Sequence, residues 1–203
     1  METKKKVIYS ADDFELSSSE PVHNTVSVKK TKEGFEVRYL LNDDCPDSPR
    51  EWDNLGKMLC FHNRYTLGDK HEGLNSEDKN SWEEWKEYLT KELHAVIILP
   101  LYLYDHSGLS LKTFRHGQHA GWDCGQVGFA YITKEQLKKE GLTKKKAEAV
   151  LTAEIETYDQ YIQGDVYCLA KDTFDKDKKH LDHDKVSGYY GYDEALKALE
   201  TEI

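Results

Sequence analysis

The sequence predicts an α+β fold: a single domain of 203 residues with a largely antiparallel β-sheet packed by about four helices. Three observations carry this expectation. Several segments alternate apolar and polar residues with period two, and the connections between them have hairpin length. Two segments place Ser or Thr three residues ahead of Glu or Gln, the capping box that opens helices. No G-x-G-x-x-G, G-x-x-x-x-G-K-[ST] or sustained heptad is present, so the signatures of Rossmann, P-loop and coiled-coil architectures are missing.

Residues 1–24 are read as a flexible N-terminal segment. From Thr25 to Leu41 apolar and polar residues alternate on both sides of Lys32-Glu33-Gly34, which predicts a β-hairpin with glycine at its turn. Asn42 to Asn54 holds two prolines among Asp and Asn residues and reads as a loop, and Lys57 to Tyr65 reads as a third strand. After a polar loop at 69–80, Ser81 and Glu84 fit a capping box for a helix to about His94, with Trp82, Trp85 and Leu89 on one face. Ala95 to Tyr104 is strongly β-prone and turns through Asp105-His106-Ser107-Gly108 into Leu109 to Phe114, a second hairpin. Val127 to Ile132 is a buried strand, and Thr133 with Gln136 caps a short helix ending at Gly141. The longest helix spans Thr143 to Gln163, with Ala147, Val150, Leu151, Ile155, Tyr158 and Ile162 at helical spacing and Gly164 closing it. Asp165 to Ala170 and Lys185 to Tyr190 pair as strands around a charged loop at 172–185, and a last helix runs from Asp193 to about Glu202.

Composition narrows the function classes. Thirty-eight acidic and 28 basic side chains give a formal charge of −10, a field that opposes nonspecific nucleic-acid binding. The lysine clusters at 4–6, 144–146 and 176–179 read as solvated faces. The longest strongly apolar run, Ala95 to Leu103, is far short of the roughly 20 residues of a membrane helix, so no membrane partner is expected. The first residues, METKKKVIYSADDF, carry no apolar h-region, and cytoplasmic residence is the expectation. Cys45, Cys60, Cys124 and Cys168 form no C-x-x-C pair, which argues against a zinc ribbon or thioredoxin motif and for free thiols.

Candidate chemistry lies in four groups. His116, His119, Asp123 and Cys124 could ligate a transition metal, although the two-residue gap between the histidines is shorter than finger spacing and a glycine-rich loop explains the segment equally. Asp175, Asp177, His180, Asp182, His183 and Asp184 have the density of an ion site but not the pattern of an EF-hand, and a solvated loop accounts for them. Cys124 is a nucleophile candidate with His62, His106 or His119 as its base, without a G-x-S-x-G or papain-like context. Asp53, Asp69, Asp105, Asp123 and Asp165 each end a strand or turn; gathered in space they could hold Mg2+, while singly they are turn formers. No cofactor is predicted, and a divalent metal stays open. Thirteen tyrosines and four tryptophans supply anchors for an interface, so the binding surface is assigned to Trp52, Asp53, Tyr104, Asp105, Trp122, Gln126, Tyr189, Tyr190 and Tyr192.

The segments PREWDNLG (49–56), WDCGQVGF (122–129), ETYDQYIQGDVY (156–167) and GYYGYD (188–193) resemble a family of small acidic proteins encoded by bacteriophages and mobile elements, from about Pro49 to Asp193. Members of that family resemble this chain with Asp-Ser-Gly-Gln where it has Asp123-Cys124-Gly125-Gln126. The resemblance implies a phage accessory protein in the bacterial cytosol that binds and inhibits a host factor, with an immune-defence component, as for an anti-CRISPR protein, the leading expectation. Two other readings stand beside it: a metal-dependent hydrolase or nuclease built on the aspartates, and a sponge that sequesters a signalling nucleotide in a pocket of glycine loops and tyrosines.

Overall fold

The computed structural model describes residues 9–18, 27–71, 73–115 and 123–201. The α+β class and the antiparallel pairing hold, with the strands shared between two four-stranded sheets. The chain divides into two compact units, one from residues 1–46 and 164–203 and the other from 47–163.

The first unit contains β1 (Ser27–Lys30), β2 (Gly34–Asn42), β7 (Val166–Asp175) and β8 (His180–Tyr190) in the order β1-β2-β7-β8, all antiparallel. Period-two alternation sorts β2 onto two faces. Phe35, Val37, Tyr39 and Leu41 join Cys168, Ala170 and Phe174 on one, beneath Phe14 of the 9–18 segment. Leu40 and Leu169 face the other way, against Ala195, Ala198 and Leu199 of α4 (Tyr192–Thr201). Gly34 is required by close approach: a Cβ there would lie 1.9 Å from the Phe174 carbonyl oxygen. The charged stretch expected as a loop is mostly strand, and the turn shrinks to residues 176–179. Asp175 closes it, its Oδ1 accepting the Asp177 and Lys179 N–H groups at 2.9 Å each.

The second unit contains β3 (Lys57–Cys60), β4 (Ala95–Asp105), β5 (Leu109–Lys112) and β6 (Cys124–Thr133) in the order β3-β6-β4-β5. One sheet face packs Met58, Leu101, Leu111, Ala130 and Ile132 against Ala147, Leu151, Ile155 and Tyr158 of α3 (Lys144–Gln163). The other packs Leu59 and Phe129 against Trp85 and Leu89 of α1 (Trp82–Lys91). Ser81 caps α1 as expected, but Glu84 reaches back to the Asn80 N–H at 3.0 Å. Thr133 and Gln136 form the full reciprocal box of α2 (Lys134–Lys139). Two departures matter. Val150, placed on the core face by its spacing, is 38% exposed. β3 stops at Cys60 instead of Tyr65, and the released residues 61–65 become a wall of the site below.

Candidate functional site

Residues 61–65 leave β3 through a bond from the Phe61 N–H to the Val127 carbonyl at 2.7 Å. Val127 is the extra residue of a bulge in β6, where Leu101 pairs with Gly128 but Tyr102 with Gln126. Bulges bend a strand and re-aim its side chains. Here Gly125, Gln126 and Val127 all line one cleft of about 500 Å³ together with Phe61, His62, Asn63, Arg64, Leu103, Asp105 and Asp123. Leu103 and Val127 are buried apolar residues and form its floor.

The polar rim is ordered by hydrogen bonds. His62 Nδ1 accepts the N–H groups of Arg64 at 3.2 Å and Tyr65 at 3.3 Å, which places the imidazole proton on Nε2 in the neutral ring. Its ring stacks on Tyr65 at 4.9 Å. Arg64 donates to Asp105 Oδ2, and the Tyr65 hydroxyl donates to Asp105 Oδ1 at 3.3 Å. The Asp105 N–H donates to the Asp123 carbonyl at 2.9 Å, and His106 Nδ1 lies 3.8 Å from Asp123 Oδ2. Of the residues singled out in the sequence, His62, Asp105, Asp123 and Gln126 line this cleft and His106 stands at its rim. Arg64 and Tyr65 were not singled out, because a strand extended to Tyr65 made them ordinary strand residues.

Beyond the shared wall of Phe61, His62 and Asn63 lies a second cleft of about 710 Å³, which Asp69 and His71 also line. Asp69 belongs to a charged lock. Arg50, with its side chain 4% exposed, donates Nε and Nη2 to the two Asp69 oxygens at 3.0 and 2.9 Å and Nη2 again to the Gly56 carbonyl at 2.8 Å. Its Nη1 is buried without a hydrogen bond and stands 3.9 Å from Glu154 Oε2. Glu154 accepts the Leu55 and Gly56 N–H groups at 2.6 and 3.0 Å. Burial pushes its carboxyl above the ordinary value, against those two donors and Arg50. The ETYDQY segment fastens the same unit: the Tyr158 hydroxyl accepts the Gly68 N–H at 2.9 Å, and Asp159 takes the Leu111 N–H at 2.6 Å and Lys112 Nζ at 2.5 Å. Gly68 has a φ of +70°, a left-handed turn that L side chains adopt with strain. Much of PREWDNLG and ETYDQY is thus scaffold.

The first unit holds a centre that sequence reading assigned to a solvated loop. Asp172 is wholly buried. Its Oδ2 accepts the Ser17 N–H at 2.8 Å and the Tyr39 hydroxyl at 2.9 Å; its Oδ1 meets His183 Nδ1 at 2.6 Å and His180 Nε2 at 3.2 Å. Burial alone would raise this carboxyl, but the four donors outweigh it and hold it below the usual range. Burial pushes the Tyr39 phenol up to about 12. Ser17 Oγ also lies 2.8 Å from His180 Nε2. Ser, His and Asp are all present, yet both Ser17 and Asp172 address the same ring nitrogen. A relay needs them on opposite nitrogens, so this is no hydrolytic triad.

The other candidates are dispersed. Cys124 is 5% exposed on β6 opposite Tyr104 and does not line the cleft. Trp52 is 47% exposed, and Asp53 is exposed beside it. Tyr189 and Tyr192 pack at the margin of the α4 core, and Tyr190 pairs with Val166 at the end of β8. Asp165 sits in the first unit, where its hydrogen bond adds to burial in raising the Tyr167 phenol to about 12. Trp122, His116 and His119 lie outside the described residues. Among the described residues no group of three or more His, Cys, Asp or Glu side chains is arranged to hold a metal ion, and no helix is long and apolar enough to cross a membrane. The chain matches no protein-family model, no curated protein and no solved structure.

Proposed function

We propose that the chain is a noncatalytic binding protein whose cleft at His62, Arg64, Asp105, Asp123 and Gln126 docks a basic side chain of a host protein. The observation that carries this is the charge of the cleft. Its lining holds Asp105 and Asp123 against Arg64 alone, a formal surplus of one negative charge over an apolar floor. An anionic nucleotide entering it would meet carboxylates, whereas a guanidinium or ammonium on an aliphatic stem matches both floor and rim. The one thiol named as a nucleophile stands outside this cleft. The overall charge of −10 favours encounter with a basic partner. The resemblance to phage accessory proteins makes a bacterial immune-defence factor, with its basic nucleic-acid channel, the expected target.

The test is an NMR titration of the 15N-labelled protein with a short Arg/Gly peptide, with ATP and a cyclic dinucleotide run in parallel. Saturable shifts of the Leu103 and Asp123 to Val127 amides by the peptide, weakened in Asp123→Asn, support the reading. Saturation of those resonances by a nucleotide while the peptide leaves them unmoved overturns it and establishes the small-ligand alternative.

A further inference from the structure

Resting on that reading, we propose that Arg64 is a resident cation: it occupies the acceptor that the partner's basic side chain takes, and docking displaces it. Arg64 sits on Asp105 Oδ2, and its guanidinium carbon lies 5.4 Å from the centre of the Tyr65 ring. This is the kind of arrangement a bound arginine adopts, with a carboxylate on one guanidinium nitrogen and an aromatic face alongside.

The two partners are held very differently. Asp105 is fixed on β4 by its N–H bond to the Asp123 carbonyl, by pairing with Leu109 and by the Tyr65 hydroxyl. The Arg64 side chain is 70% exposed and bonded to this one carboxylate. An exposed ion pair of this kind is weak and yields readily to a competitor. The loop backbone need not move for the exchange, since Phe61 is tied to Val127 and the Arg64 and Tyr65 N–H groups are tied to His62. Arg64 therefore sets a threshold: an incoming cation that makes only the Asp105 contact gains nothing over the resident one, while a cation that also reaches Asp123 and the Leu103–Val127 floor does.

The sign of one substitution decides the matter. If Arg64 contacted an anionic ligand, its removal would weaken binding. As a competitor, its removal tightens binding to a basic probe. Affinity for the Arg/Gly peptide is measured by calorimetry at low salt for the wild type, Arg64→Ala and Asp123→Asn. Arg64→Ala is expected to bind about two- to fivefold tighter, the range an exposed ion pair implies, while Asp123→Asn binds more weakly. Equal or weaker binding by Arg64→Ala, with the wild type still binding, overturns the displacement and leaves the docking reading intact. Failure of the peptide to bind any of the three overturns both. Because Arg64 is so exposed, the variant is expected to keep the fold, which an unchanged amide spectrum outside residues 61–65 and 103–127 verifies.

Discussion

Two buried charged side chains, Asp172 in the first unit and Arg50 in the second, are accommodated in opposite ways. In the first unit a single anion, Asp172, is surrounded by donors that carry no obligatory charge: a backbone N–H, a phenol and two imidazoles. In the second a cation, Arg50, is held between two carboxylates, and one of its nitrogens is left without a hydrogen bond. The anion is fully satisfied, and its ionised form is favoured. The cation's partners share one positive charge between them, and the second of them, Glu154, is driven toward its protonated form. A buried charge is stabilised less by an opposite charge than by a complete set of hydrogen bonds.

The largest break in this comparison is Arg50→Met. It strands Asp69 and Glu154 as partly buried carboxylates with no cation, at a cost of about 3–5 kcal/mol. The described tryptophans, Trp52, Trp82 and Trp85, lie in the second unit, so urea unfolding followed by tryptophan fluorescence reads this loss directly. Asp172→Ala comes next. It leaves the Tyr39 hydroxyl and the Ser17 N–H without their acceptor and should cost about 2–3 kcal/mol, by the usual penalty for buried unsatisfied donors. Hydrogen exchange at β2 and β7 amides is the readout, since the first unit has no tryptophan.

The pH dependence sharpens the contrast, because the two carboxyls are shifted in opposite senses. Asp172 is depressed in the fold, so its contribution is present above the unfolded value near 3.8 and is lost as pH falls through the lower folded value. Glu154 is raised, so the second unit loses stability as pH climbs from about 4.5 through the raised folded value, and the loss persists above it. The units should therefore respond with opposite slopes, each within its own window: stability rises with pH for the first below 3.8 and falls with pH for the second above 4.5. Glu154→Gln is expected to abolish the loss in tryptophan-detected stability above pH 4.5 and to leave β2 and β7 exchange unchanged. A slope that survives the substitution would assign the effect to another group.

What was legible in the sequence was periodic apolar burial and capping chemistry. The hairpin about Gly34, the two capped helices and the β4–β5 turn are each specified within a few residues. Three features were hidden because none of them shows as an alternation of apolar and polar residues. Asp172 occupies a core position of β7, so the strand read as loop. β8 is an edge strand with most of its residues exposed on both faces, so it carries no alternation. The cleft depends on a bulge at Val127 and on a strand that ends at Cys60, and neither alters the local apolar count. His62, Asp105, Asp123 and Gln126 were found because they sit in unusual motifs, but their convergence is a property of sheet order β3-β6-β4.

The smallest expected effect tests the same lesson on one helix. Helical spacing put Val150 with Ala147, Leu151 and Ile155 on the buried face of α3. The buried stripe runs instead through Ala147, Leu151, Ile155, Tyr158 and Asp159, with Glu154 turned inward to Leu55 and Gly56, and Val150 lies at its margin. Two carboxylates thus belong to the apolar face because each binds backbone N–H groups of the loop or strand it covers. Val150→Ser should therefore change second-unit stability by no more than about 0.5 kcal/mol, as surface substitutions do. A Val150→Ser loss of 2 kcal/mol or more, the scale of a core truncation, would return Val150 to the core and move the buried stripe away from Glu154, and with it the account of the Arg50 lock.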